Sequence, residues 1–263
     1  MNRRLHVVTL GLALAMASEP AAQAAARERS NGFLGIGAVI RNVARARAQS
    51  TGKRVFHATR AGYSATLEPT RQLQRILRNW EGVLPVEMHF SRGDNSADGS
   101  GSTVLGIALR MPAVSGAEDL KFITARKGML RRIPTSANSY FTGPLSTVLA
   151  SKVNARNHAL YLEPARVRSS VGTTGRVFDE VERLASAGAA KFRLMLRPTG
   201  PFQQSVDLGV ITLDKKLSAD RTEGIEIFPW TNKAFVPTGL LNDASFFAYE
   251  GSQEGRRLAR QGK

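Results

Sequence analysis

The chain has no cysteine. That excludes disulfides, thiolate nucleophiles and zinc-thiolate sites at once, together with thiolate-ligated haem and iron–sulfur clusters. Histidine is scarce, with only His6, His57, His89 and His158. Acidic residues are outnumbered, 21 against 37 basic ones. No Walker A loop, G-x-S-x-G elbow, H-E-x-x-H pair or EF-hand loop occurs, so the common nucleotide, hydrolase, zinc-protease and calcium signatures are missing. A G-x-G at Gly99 to Gly101 sits in a loop between strands and does not open a helix, so it is a weak phosphate signal. There is no internal repeat or low-complexity tract, and beyond the N-terminus no apolar run is long enough to span a bilayer.

What remains is a globular composition. With 263 residues, 42% hydrophobic and 22% charged, the chain can form one large domain or two small ones around a sizeable core. The formal charge of +16 attracts anions. The basic residues are scattered and not interleaved with aromatics, so nucleic-acid binding is not expected. A basic protein that binds an anionic polymer or membrane remains an alternative, and it would bind with a steep salt dependence.

The N-terminus reads as a secretory signal. Arg3 and Arg4 give the positive start, Val7 to Ala17 the apolar run, and Ala22-Gln23-Ala24 a small-x-small cleavage site. The expected mature chain is 25–263, periplasmic or secreted, and His6 leaves with the signal.

Apolar residues at Ile36, Val39, Ile40 and Val43 predict an amphipathic helix over 35–50, ended by Gly52. Strands are expected at 63–67, 86–91, 103–111 and 120–124, the middle pair joined across a polar, glycine-rich loop, 93–102. Residues 145–153 read as a short helix. Helix 178–190 precedes strands at 192–197, 206–213 and 225–228. A last helix runs from 242 to 261, with Asn242 or Asp243 as its N-cap. The class is α+β: an antiparallel β-barrel or strongly coiled sheet over 54–230, with helical insertions and helices at both ends.

Two segments carry candidate chemistry. His57 lies in RVFHATRAGYSATL, three residues after Arg54 and just before a strand. In an apolar pocket its imidazole would act as a general base near neutral pH. In the last helix, Tyr249, Gln253 and Arg256 fall at i, i+4 and i+7 and share one face. Helical side chains lean toward the N-terminus, which brings Arg256 back over Tyr249. A guanidinium there favours the phenolate, which is a competent axial ligand for ferric haem. A packing tyrosine and a solvated arginine would have the same spacing.

Both segments resemble those of the haem catalases. The family's distal segment runs approximately R-V-x-H-A-x-G-x-G-A-x-G, and here Arg54, His57, Ala58 and Gly62 fit it. A second landmark, V-R-F-S followed by a loop and R-G-[FM]-A-[LI]-[KR], is similar to Phe90-Ser91 and Gly106-Ile107-Ala108-Leu109-Arg110. The third, W-D-L followed by an asparagine, is matched by Glu118-Asp119-Leu120. The proximal F-[SA]-Y-x-D-[TA]-Q-x-x-R is similar to Phe247-Ala248-Tyr249 with Gln253 and Arg256. Phe228-Pro229-Trp230 on the approach also resembles small catalase-like proteins. The likeness runs in order from about residue 50 to 260.

The resemblance implies a haem-dependent catalase barrel that binds haem b and its iron. Tyr249 would be the metal ligand, and Arg256 would keep it ionised. His57 would be the distal base that moves a peroxide proton between oxygens, and Ser91 would orient it by a hydrogen bond. Arg54 would pair a haem propionate, and Phe90 would pack beside the distal haem face. The partners would be a peroxide and a reductant. Three departures stand out. Thr124 or Ala125 occupies the place of the distal asparagine, His89 that of an arginine before Phe90, and Ser245 that of an arginine four residues before the tyrosine. They point to a slower peroxidase, or to organic and lipid hydroperoxides, rather than fast peroxide disproportionation. The alternative is a catalase-fold protein that binds a lipid or small ligand without catalase chemistry.

Overall fold

A computed structural model describes residues 34–51, 60–78, 80–93, 101–114, 116–127, 132–147, 149–165, 176–199, 203–224 and 227–261. The signal segment, Gly52, most of the 93–102 loop, Arg54 and His57 lie outside the described residues.

Helix α1 (Leu34–Thr51) opens the described chain. Then come β1 (Arg60–Pro69), α2 (Arg71–Ile76), β2 (Leu84–Arg92), β3 (Leu105–Ala113) and β4 (Gly116–Thr124). Short strands β5 (Leu145–Ser146) and β6 (Ser151–Val153) precede β7 (Arg156–Pro164), α3 (Val177–Ser186), β8 (Lys191–Pro198) and β9 (Val206–Lys216). The chain continues through α4 (Ala219–Gly224), a 3₁₀ turn at Pro229–Thr231, β10 (Val236–Pro237) and α5 (Leu240–Gln261).

Eight strands close into an antiparallel barrel. The ring runs β1-β2-β3-β4-β5-β7-β8-β9 and returns to β1 through the β1–β9 ladder. Closure gives each barrel strand a paired neighbour on both sides, although β5 joins β4 only at Ile123 and Thr124. Strands β6 and β10 extend the sheet beside β7. Alternation decides what fills the barrel. Leu84, Val86, Met88 and Phe90 of β2 meet Tyr63, Leu67, Leu105, Ile107, Leu109, Phe122, Leu160, Phe192 and Leu194 in one apolar core. Gly209 sits at φ 148° where the β8–β9 register shifts. A Cβ there would collide with the Glu68 carbonyl, so only glycine permits this bulge.

The two terminal helices pack on each other because glycines let them. A Cβ on Gly251 or Gly255 of α5 would run into the Arg41 or Arg45 carbonyl of α1, and Gly37 of α1 faces the Phe247 ring. Beside this contact Arg41 pairs with Glu250 at 3.3 Å and with Glu254 at 2.8 Å, and Arg45 reaches Glu254 at 3.3 Å.

The expected α+β barrel with helices at both ends is what the chain forms. Three local readings need correction. Residues 145–153 make β5 and β6, not a helix, because Leu145 and Val153 each enter the core by pairing with β7. Ile227 and Phe228 form no strand and lead into the 3₁₀ turn. Helix α5 begins at Leu240, so Asn242 is not its N-cap. Its side-chain amide instead donates to the Thr238 and Ala150 carbonyls.

Candidate functional site

The outward face of β1–β4 is built in cross-strand rows. One row runs Gly62, His89, Ala108, Lys121, and the next Ser64, Glu87, Arg110, Asp119. Next to them, Ser91 lies opposite Gly106. Small residues alternate with ionisable ones, so the face is shallow yet carries charge.

His89 is 1% exposed. Its Nε2 lies 3.6 Å from Glu87, which accepts from Arg221 at 2.5 Å. The imidazole of His89 beside it holds the Glu87 carboxyl below its ordinary range; burial opposes this and Arg221 reinforces it. Gly62 makes room for the imidazole, since a Cβ there would stand 3.2 Å from His89 Nδ1 and 2.6 Å from Thr222 Oγ1.

Neighbouring acids on β4 anchor the chain that delivers α5. Asp119, 2% exposed, takes two parallel hydrogen bonds from Arg110, each 2.8 Å, and a third from the Phe228 amide at 2.7 Å. Glu118 accepts from the amides of Lys233, Ala234 and Phe235 at 2.9–3.1 Å. Burial pushes the Glu118 carboxyl up, against the pull of those amides. Asn232 adds bonds to both backbone groups of Asp119. Residues 228–235 are thereby fixed to the barrel wall, and Trp230 is set under α5, donating to the Asn242 carbonyl at 3.2 Å.

Between this wall and α5 lies a cavity of about 500 Å³, within the range of cofactor and small-molecule sites. Ile40, Ile123, Leu149, Trp230, Phe235 and Ala248 give it apolar walls, and Lys121, Asp119, Ser245 and Tyr249 bring polar groups. The Lys121 ammonium lies 3.0 Å from the centre of the Tyr249 ring and 5.1 Å from that of Trp230. Trp230 and Tyr249 are themselves in ring contact at 5.7 Å. A second hollow, about 370 Å³, is lined by Ser102, Arg126, Lys127, Thr135 and Asn138 and does not include Tyr249.

Of the residues singled out in the sequence, Tyr249 lines the larger cavity, and Gln253 and Arg256 are buried on the same helix. Ser91 lies on the outward side of β2, and its hydroxyl donates to the Gly106 carbonyl at 3.2 Å. Phe90 faces the barrel interior. Adjacent strand residues point to opposite faces, so it cannot share a face with Ser91. It is wholly buried in the barrel against Tyr63, Tyr140 and Phe192. Thr124 spends its hydroxyl within the wall, donating to Thr135 and accepting from Leu105. Lys121 escaped the sequence reading, though a lysine amid the apolar DLKFI stretch was a usable signal.

No protein-family model and no curated protein matches the sequence. Solved structures do. A fungal catalase superposes with a TM-score of 0.60 at 11% identity, over 80% of this chain and 60% of that one. Catalase A from Saccharomyces cerevisiae gives 0.59 at 11%, over 80% and 62%. A bacterial catalase gives 0.55 at 13%, over 79% and 57%. The chain has the catalase fold. It spans about three fifths of the length of the catalases it matches.

The cavity residues can be weighed against what an iron porphyrin requires of a catalase fold: an axial donor, apolar walls and cations for its carboxylates. Tyr249 offers a phenolic oxygen, the walls are apolar, and Lys121 is a cation within them. The residues fit such a group.

Proposed function

We propose that this chain is a haem-dependent peroxidase of the catalase fold, exported to the periplasm or beyond, acting on hydrogen peroxide or on organic and lipid hydroperoxides. One observation carries the reading: in a catalase-fold chain, Tyr249 of α5 lines a cofactor-sized apolar cavity against the barrel wall.

Bound haem supplies the redox chemistry. The chain's own residues supply the rest. Tyr249, which lines the cavity, would hold the iron through its phenolic oxygen. Lys121 lies 3.0 Å from the centre of its ring, and Arg256, further along the same helix face, would add positive charge on that side. Trp230, Ile123 and Phe235 keep water from the ring. Arg54 would pair a haem carboxylate, and His57 would move the peroxide proton from one oxygen to the other, with Ser91 as its orienting partner.

The test is hemin reconstitution of the purified protein. A Soret band forms in the native protein and is weakened or lost in Tyr249→Phe. A protein that stays colourless with hemin refutes the proposal. A second reading, a ligand binder without peroxide chemistry, draws on Thr124, whose hydroxyl is committed to Leu105 and Thr135 where the family has its asparagine. On that reading His57→Ala leaves ligand binding unchanged and there is no peroxidase activity to lose.

A further inference from the structure

The hollow of about 370 Å³ shares no lining residue with the α5 cavity. Its walls are short stretches of chain fastened by backbone hydrogen bonds. Just beyond β4, Ala125 bridges to Pro134, and the Arg126 amide donates to the Ile133 carbonyl. Thr103 and Ala137 exchange bonds, and the Ala125 amide donates to the Pro144 carbonyl. With the walls fixed in this way, side chains set the chemistry. Arg126 and Lys127 line the hollow together with Ser102, Thr135, Ser136 and Asn138. Lys127 follows the strand at a bend, so the alternation that parts neighbouring side chains does not hold there. Its stem leans toward the facing stretch, with Cε 3.8 Å from where a Cβ on Gly143 would stand. No acidic side chain and no aromatic ring is among the lining residues. Two adjacent cations repel each other, and an anion held between them relieves that repulsion.

We propose that this hollow is a second ligand site, and that it binds small hydroxylated phosphate monoesters of the sugar phosphate type. Such an ester carries a charge of about −1.5 to −2 at neutral pH, which two cations match better than they match the single charge of a carboxylate. Arg126 offers a planar fork of donors, and Lys127 a point charge on a flexible stem. A bare anion would leave most of the space to water. The hollow has room for roughly a dozen waters at about 30 Å³ each, and four phosphate oxygens displace only some of them. Hydroxyls and an amide border the remainder, which suits a body rich in hydroxyl groups. Without a ring to stack on, a nucleotide base gains little there. Nothing in this site depends on haem.

The experiment is isothermal titration calorimetry of the full chain with glucose 6-phosphate, glucose, inorganic phosphate and AMP. Glucose 6-phosphate is expected to bind about tenfold or more tighter than glucose, as charge-assisted hydrogen bonds require, and tighter than inorganic phosphate or AMP. Its binding weakens as sodium chloride is raised, because both cations are exposed and screened. Replacing both by glutamine, Arg126→Gln with Lys127→Gln, removes the preference over glucose and leaves the urea midpoint near the native one. Should that double variant fail to fold, each single glutamine variant is expected to lose severalfold in affinity. Asn138→Ala weakens glucose 6-phosphate and leaves inorganic phosphate unchanged. No binding of glucose 6-phosphate, an affinity equal to that of glucose, or one that survives loss of both cations overturns the site. Inorganic phosphate or AMP binding as tightly as glucose 6-phosphate overturns the assignment to a hydroxylated phosphate monoester.

Discussion

Arg110 and Asp119, directly opposite each other on β3 and β4, form a two-pronged ion pair whose carboxylate also holds the Phe228 amide. A barrel-wall pair thus fixes the start of the segment that carries Trp230 and then α5. Cutting it should cost more than a surface ion pair, because Asp119 is buried and three donors would lose their acceptor. Asp119→Ala is expected to destabilise the fold by roughly 2–4 kcal/mol, seen as a lower urea midpoint. Trp230 fluorescence should report loosening of the cavity in the same titration.

Phe90 belongs to the barrel core and not to the site. Phe90→Ala should lower stability by about 3–5 kcal/mol while leaving hemin binding nearly unchanged in the fraction that remains folded. Loss of binding without loss of stability would return Phe90 to the site.

How far such placements were readable in advance depended on the residue. Tyr249, Gln253 and Arg256 were legible because one helix face orders them by spacing alone. The barrel was legible from alternating strands. The place of Phe90 was not legible because the resemblance matched a pair, Phe90-Ser91, whose side chains part in a strand. Residues 145–153 read as a helix because each strand there is only two or three residues long, too short to show its period. Lys121 meets Tyr249 across 128 positions of chain, a contact made by barrel closure and the Glu118–Asp119 anchor, which no local pattern encodes.

The α1–α5 contact depends on missing side chains. Gly251→Leu would thrust carbons into the Arg41 carbonyl and should cost about 1–3 kcal/mol by overpacking. Hydrogen exchange in α1 should rise while the barrel strands stay protected. Unchanged exchange in α1 would contradict the close approach.

Two carboxylates give opposite pH slopes. Glu87 is held below its ordinary range by the neighbouring His89 imidazole and Arg221, so its contribution to stability is present above the unfolded value of about 4.3. That contribution is lost as pH falls through the lower folded value. Glu118 is pushed up by burial, so its contribution is full below the unfolded value and is lost as pH rises through the folded one. Urea midpoints measured against pH should therefore show a flatter acid limb in Glu87→Gln, and in Glu118→Gln a smaller decline as pH rises above about 4.3.

The proposed Tyr249–iron bond is read most plainly by resonance Raman spectroscopy of the hemin-loaded protein. Phenolate–iron vibrations are expected in the native protein and are absent from whatever hemin Tyr249→Phe retains. Identical spectra from the two proteins would overturn the assignment of Tyr249 as the iron ligand.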